Sequence, residues 1–195
     1  MKYLFLVFLS VVAKVFYHFR YHITSDFTQN TSGKIIAPNH ISSIDALFIW
    51  LMCRGNCTVV ASLKAVQAKN FIIRFCARFF DIIYVTENDN ISATRTMIKV
   101  LSSGKTLLIF PEGTITPDGN LSAIEEGTVF ISQKSKTKIY PVKIDGLLGS
   151  KFSKVHNHST VRVSAMMKDA IDPTLFVGKE GRTEMNVLLK EYLNV

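Results

Sequence analysis

Apolar residues open the chain and then change rhythm. Tyr3 to Ala13 is a run of eleven positions, apolar except for Ser10, and after Lys14 it resumes with Val15, Phe16, Tyr17 and Phe19. A spanning helix needs about 20 predominantly apolar residues, so this run is too short to cross a bilayer comfortably. No small-residue cleavage site follows it, which argues against a secretory signal. The pattern predicts an uncleaved helix over residues 1-22, partly sunk in one leaflet with Lys14 and Arg20 near the headgroups. An amphipathic helix packed on the core is the competing reading.

From residue 23 onward the pattern alternates. Ser25 to Gly33 is polar and reads as a connecting loop. Short apolar runs at Lys34 to Ala37, Thr58 to Ala61, Asp81 to Val85, Thr106 to Phe110, Ile139 to Ile144 and Thr160 to Ser164 read as strands. Helix-length segments fall between several of them, at Ser43 to Cys53, Lys69 to Phe79 and Asn90 to Ser103, and a last helix runs from about Gly181 to Leu193. That order predicts an α/β fold in which a mixed, largely buried sheet is flanked by helices. With 195 residues and no linker or repeat, residues 23-195 make one compact domain.

Composition adds two constraints. Hydrophobic residues make up 48% of the chain and charged residues 19%, which points to a membrane surface as partner and away from disorder. Lys and Arg number 23 against 15 Asp and Glu, so a formal charge of +8 draws anionic partners. The basic residues lack the clustering of a nucleic-acid module, so nucleic acid is not among those partners. Cys53, Cys57 and Cys76 show no Cys-x-x-Cys spacing and read as buried thiols in a reducing compartment.

The segment richest in chemistry is Ala37-Pro38-Asn39-His40-Ile41-Ser42-Ser43-Ile44-Asp45, between a strand and a helix. Ser42 or Ser43 is placed to cap that helix. Residues five apart on one helix are rotated by about 140° and do not meet, but a histidine just before the first turn can fold back onto Asp45. A carboxylate on one imidazole nitrogen fixes the tautomer and leaves the other nitrogen as a general base. Farther on, Phe110-Pro111-Glu112-Gly113-Thr114 follows a strand: Pro111 ends the ladder, Gly113 permits close backbone approach, and Glu112 puts a carboxylate at the strand end.

The His40-x4-Asp45 segment and the Phe110 to Thr114 turn, at this separation, resemble the lysophosphatidate acyltransferase-like glycerolipid acyltransferases, over roughly Ile35 to Gly146. The resemblance implies a glycerol-3-phosphate acyltransferase-like fold for 23-195, with His40 and Asp45 catalytic and Asn39, Lys64, Phe110, Pro111, Glu112, Gly113 and Thr114 binding substrate. It implies a lysophospholipid acceptor, acyl-CoA or acyl-carrier protein as donor, no other cofactor, no metal, and a place on the cytoplasmic face of a bacterial inner membrane. Tyr140-Pro141-Val142 matches the family's later Pro-Val strand. The chain departs from the family where relatives carry basic residues: Glu87 after the third strand, Ile115 after Gly-Thr, and Glu125 or Glu126 ahead of Gly127. Loss of those positives weakens recognition of a dianionic phosphomonoester and suits a zwitterionic headgroup. The chain is accordingly similar to the acyltransferase half of bacterial 2-acylglycerophosphoethanolamine acyltransferases. The synthetase half of that branch is not in these residues, which leaves the donor open.

Other features carry less. Lys69 to Phe80 sets Arg74 and Arg78 against an apolar stripe, either a second membrane contact or a helix on the sheet. Gly104-Lys105-Thr106 lacks the earlier glycine of a phosphate loop, His156-x-His158 has no carboxylate partner for a metal, and no Gly-x-Ser-x-Gly elbow occurs.

Overall fold

The computed structural model describes residues 2–63, 78–86, 90–116, 118–148 and 162–194. Among them lie α1 (Lys2–Phe16), β1 (Arg20–His22), α2 (Ser25–Gln29), β2 (Lys34–Pro38), α3 (Asp45–Met52), β3 (Cys57–Ser62), β4 (Asp81–Val85), α4 (Asn90–Ser102), β5 (Thr106–Leu108), α5 (Gly127–Ser135), β6 (Ile139–Asp145), β7 (Ser164–Met167), a 3-10 turn (Pro173–Leu175) and α6 (Gly178–Asn194). The strands form one sheet in the order β1-β7-β6-β2-β5-β3-β4, parallel except for the β6–β7 pair. The expected mixed, buried sheet between helices is what forms.

Period-two alternation explains the layers. In β2, Ile36 faces one side and Ile35 and Ala37 the other, and all three are fully buried. The first side packs under α1 and α3 through Phe48, Trp50 and Met52. The second packs under α4, α5 and α6, whose Ala93, Met97 and Leu101 and Met185, Leu189 and Leu193 recur every fourth residue as one helical stripe each. A fully buried leucine such as Leu189 contributes about 2–3 kcal/mol. At the start of β2 the backbone passes so close to α4 that a Cβ on Gly33 would lie 2.2 Å from the Leu101 carbonyl oxygen, so only glycine fits there.

Several boundaries differ from expectation, for identifiable reasons. The N-terminal helix stops at Phe16, because His18 turns to φ 44° and the chain re-enters the sheet as β1. Ser25 to Gly33 is not all loop, since Ser25–Gln29 makes a short helix with no buried residue, which leaves no periodic signal. Of the strand expected at Thr160 to Ser164, residues 160 and 161 lie outside the described residues, and the described strand runs over Ser164–Met167, set by antiparallel pairing with β6. Helix α5 was not anticipated because its inward positions include Thr128 and Ser132, so polarity does not mark its faces. Cys57 is buried but Cys53 only half-buried. Cys76, Lys64, Glu87, His156, His158 and most of Lys69 to Phe80 lie outside the described residues; Arg78 to Phe80 form a turn.

α1 has two apolar faces. Phe5, Leu6, Leu9 and Ala13 pack toward α3, whereas Tyr3, Leu4, Phe8, Val11, Val15 and Phe16 are exposed. No helix among the described residues is long and apolar enough to cross a membrane.

Candidate active site

Strands β2 and β5 are parallel neighbours, paired Lys34 to Thr106 through Ile36 to Leu108, so their carboxyl ends open onto the same edge. That edge is where loops of an α/β sheet meet a ligand. The loop after β2 carries His40 and the loop after β5 carries Phe110 to Thr114, which brings the two motifs together.

His40 Nδ1 lies 3.0 Å from Asp45 Oδ2. The same oxygen accepts from the backbone N–H of Ile41 at 2.7 Å and Ser42 at 2.8 Å. The helix-capping expectation is therefore reversed. Ile44 takes the cap position without a side-chain cap, and Asp45, the first helical residue, reaches back to organise the preceding loop. Ser42 Oγ accepts a long bond from Ile44 N–H, 3.4 Å.

Asp45 is fully buried, and its Oδ1 has no hydrogen-bond partner among the described residues. Burial pushes its carboxyl up from the ordinary range, against the pull of His40, Ser42 and Ile41. An ionised Asp45 accepts from Nδ1–H and leaves Nε2 with a free lone pair. The His40 side chain keeps 18% of its surface exposed while Asp45 keeps none, so the base reaches solvent and its partner does not. One face of the imidazole stacks on Phe110, centroids 4.0 Å apart and planes at 26°.

The backbone of His40 is held too. Its N–H donates to Glu112 Oε1 at 2.7 Å, and its carbonyl accepts from Thr116 N–H at 2.8 Å. The second Glu112 oxygen accepts from Ser122 N–H at 2.8 Å. Pro111 is buried and its carbonyl accepts from Glu125 N–H at 2.8 Å. Gly113 and Thr114 are exposed at the rim. Gly113 sits at φ 65°, a left-handed conformation that favours glycine, with the Glu125 side chain alongside.

Of the expected site residues, His40, Asp45, Phe110 and Glu112 meet directly, and Gly113 and Thr114 border them. Asn39 turns inward: it is buried, and its amide exchanges two hydrogen bonds with the backbone of Ile144, 2.6 and 3.0 Å. It staples the loop to β6. Thr116 and Ser122 were missed because they act through backbone N–H groups, which no residue pattern marks.

A polar hollow of about 370 Å³ opens at the other end of the sheet, among Asp26, Asn30, Lys138 and Asp172. Its groups are satisfied locally: Tyr140 Oη donates to Asp26 at 2.8 Å and Lys138 pairs with Asp26 at 3.3 Å. His40 is not part of it. Among the described residues no cluster of His, Cys, Asp and Glu is arranged to hold a metal.

The family model described as Acyltransferase matches residues 18–145. A 1-acyl-sn-glycerol-3-phosphate acyltransferase of Borreliella burgdorferi is 29% identical over 117 residues, 58% of this chain and 46% of that protein, so the match spans about half of its length. The crystal structure of the 1-acyl-sn-glycerophosphate acyltransferase PlsC from Thermotoga maritima has a similar fold, with a TM-score of 0.66 over 97% of this chain and 92% of that one at 18% identity.

Proposed function

Because the chain belongs to the acyltransferase family, we propose that it moves a fatty-acyl group from an acyl thioester, acyl-CoA or acyl-carrier protein, to the free hydroxyl of a lysophospholipid. The observation that carries this reading is the His40–Asp45 contact at the mouth of the loop that holds Glu112. Nε2 of His40 takes the proton of the acceptor hydroxyl as its oxygen attacks the thioester carbonyl. The tetrahedral intermediate collapses, the C–S bond breaks, and the proton passes from His40 to the leaving thiolate. Asp45 holds the imidazole in the productive tautomer and offsets the charge that forms on it. No acyl-enzyme and no cofactor beyond the donor is needed.

The acceptor we favour is zwitterionic, like lysophosphatidylethanolamine. Glu126 is engaged by Arg182 at 3.9 Å. Glu125 is exposed, has no ion pair among the described residues, and flanks Gly113. A carboxylate at that rim suits a headgroup ammonium and repels a second phosphate charge. Lysophosphatidate is the second reading, supported by what the Borreliella and Thermotoga proteins are named for. A non-catalytic lipid-binding module is the third, and it has no use for an imidazole tied to a buried carboxylate.

The exposed apolar face of α1 supports docking on a membrane surface, where the exposed Lys14 at the end of the helix would meet anionic headgroups. On this reading the site works at the cytoplasmic leaflet.

The test is a matrix of acceptors and donors: purified protein with lysophosphatidylethanolamine or lysophosphatidate, each with acyl-CoA or acyl-carrier protein, read as diacyl product. Turnover of the zwitterionic acceptor supports the reading. Turnover of lysophosphatidate alone overturns the acceptor choice, and none with any pair overturns the enzyme.

A further inference from the structure

We infer that Glu112 is a positioning residue for the base and not a ligand for the acceptor. The residue is 4% exposed. Both carboxylate oxygens are already spent on main-chain donors, Oε1 on His40 N–H and Oε2 on Ser122 N–H. Such charge-assisted bonds to a buried carboxylate are strong, and surrendering them to bind a ligand would leave two N–H groups unmet. Buried to this degree and already holding a main-chain donor on each oxygen, Glu112 offers an incoming headgroup little access.

What the carboxylate does is bridge. It joins the loop after β2, which carries the base, to the segment 115–126 that leads into α5. Thr116 N–H closes the same segment onto the His40 carbonyl. The base is thereby gripped on its peptide N–H by Glu112, on its carbonyl by Thr116, on Nδ1 by Asp45 and on its ring face by Phe110. Because Glu125 N–H is tied to the Pro111 carbonyl, the rim beside Gly113 is anchored to the same turn. One buried side chain thus keeps base and rim in register. A misplacement of 1 Å costs about 100-fold in rate for a positioned group, without a matching change in affinity.

The inference rests on the acyl-transfer reading and separates from it experimentally. Glu112→Gln puts an amide where two acceptors are needed, so one N–H loses its partner. Glu112→Asp keeps the charge but is one methylene too short to span both loops. Glu112→Ala removes both bonds. Steady-state rates with saturating donor, together with amide hydrogen exchange of segments 39–42 and 120–123, read the outcome. Positioning is upheld if kcat falls about 100-fold in Glu112→Ala and by less in the other two, acceptor KM stays within about twofold, and both segments exchange faster. If Glu112→Ala does not fold, the Gln and Asp variants carry the same comparison. A tenfold rise in acceptor KM with kcat retained, or unchanged exchange in both segments, overturns it. An inactive wild-type protein counts against the acyl-transfer reading alone, since exchange still reports the hold of Glu112 on His40.

Discussion

The two ends of the central sheet each carry an aspartate bonded to a side chain outside its own helix, and they behave in opposite ways. At the carboxyl ends, Asp45 is fully buried, keeps one oxygen without a partner among the described residues, and has its carboxyl pushed up by burial. At the amino ends, Asp26 is about half exposed and takes bonds from Tyr140 and Lys138, and the Tyr140 hydrogen bond holds its carboxyl below the ordinary range. Tyr140 itself is raised to about 12, chiefly by burial. One carboxylate is costly to bury and oriented toward a base. The other is comfortable and ties α2 to the sheet. On the acyl-transfer reading, the carboxylate whose burial is costly is the one at the proposed site.

Asp45→Asn is the sharpest way to break that contrast. An amide does not enforce the Nδ1–H tautomer, so turnover falls by about three to four orders of magnitude. Stability moves the other way. Because folding raises the Asp45 pKa, the folded state holds its proton more tightly than the unfolded chain, and stability declines as pH rises from the ordinary carboxylate range through the folded value. Asparagine removes that loss while still accepting from Ile41 and Ser42. Its melting temperature at neutral pH is expected to equal or exceed wild type, checked by calorimetry; a clear drop would mean the charge stabilises the fold.

The next effect concerns the exposed apolar face of α1, the proposed membrane contact. Leu4 and Phe8 are 76% and 62% exposed, so replacing both with aspartate leaves the core intact. Partition onto anionic vesicles is expected to fall by more than about 100-fold, since two side chains at about 1.5–3 kcal/mol each together lose about 3–6 kcal/mol. Co-sedimentation measures it, and unchanged binding would place the docking surface elsewhere.

A smaller change tunes the rim. Glu125→Arg is expected to swing preference from a zwitterionic acceptor toward lysophosphatidate by about tenfold in kcat/KM, the scale of one charged hydrogen bond. Competition between the two lipids checks it.

The smallest effect belongs to the quiet end. Asp26→Asn is expected to lower the melting temperature by about 1–3 °C at neutral pH and leave turnover unchanged. Because the Asp26 pKa is depressed on folding, its contribution is present above the unfolded value and lost as pH falls through the folded one, so the two proteins converge in acid.

Much of this was legible in the sequence where side-chain pattern and structure coincide. The apolar run in Lys34 to Ala37 and the four-residue stripe of α6 follow from periodicities that packing enforces, and the His40–Asp45 contact follows from a histidine placed in the loop just before a helix. The direction of capping was not legible, because Ser42 and Asp45 both suit it and only tertiary burial chooses. The edge strand Arg20–His22 is exposed along its whole length and is defined by its partner β7 alone. The family resemblance implied an acceptor contact for Glu112. Its actual partners, two backbone N–H groups 72 and 10 residues away in sequence, leave no trace in residue identity.

The most direct measurement is single-turnover acyl transfer by His40→Ala beside the wild-type protein, with folding and vesicle binding confirmed for both. Diacyl product from the wild type and none above background from the variant is the expected result. A variant that transfers the acyl group at the wild-type rate would contradict a role for the imidazole as base.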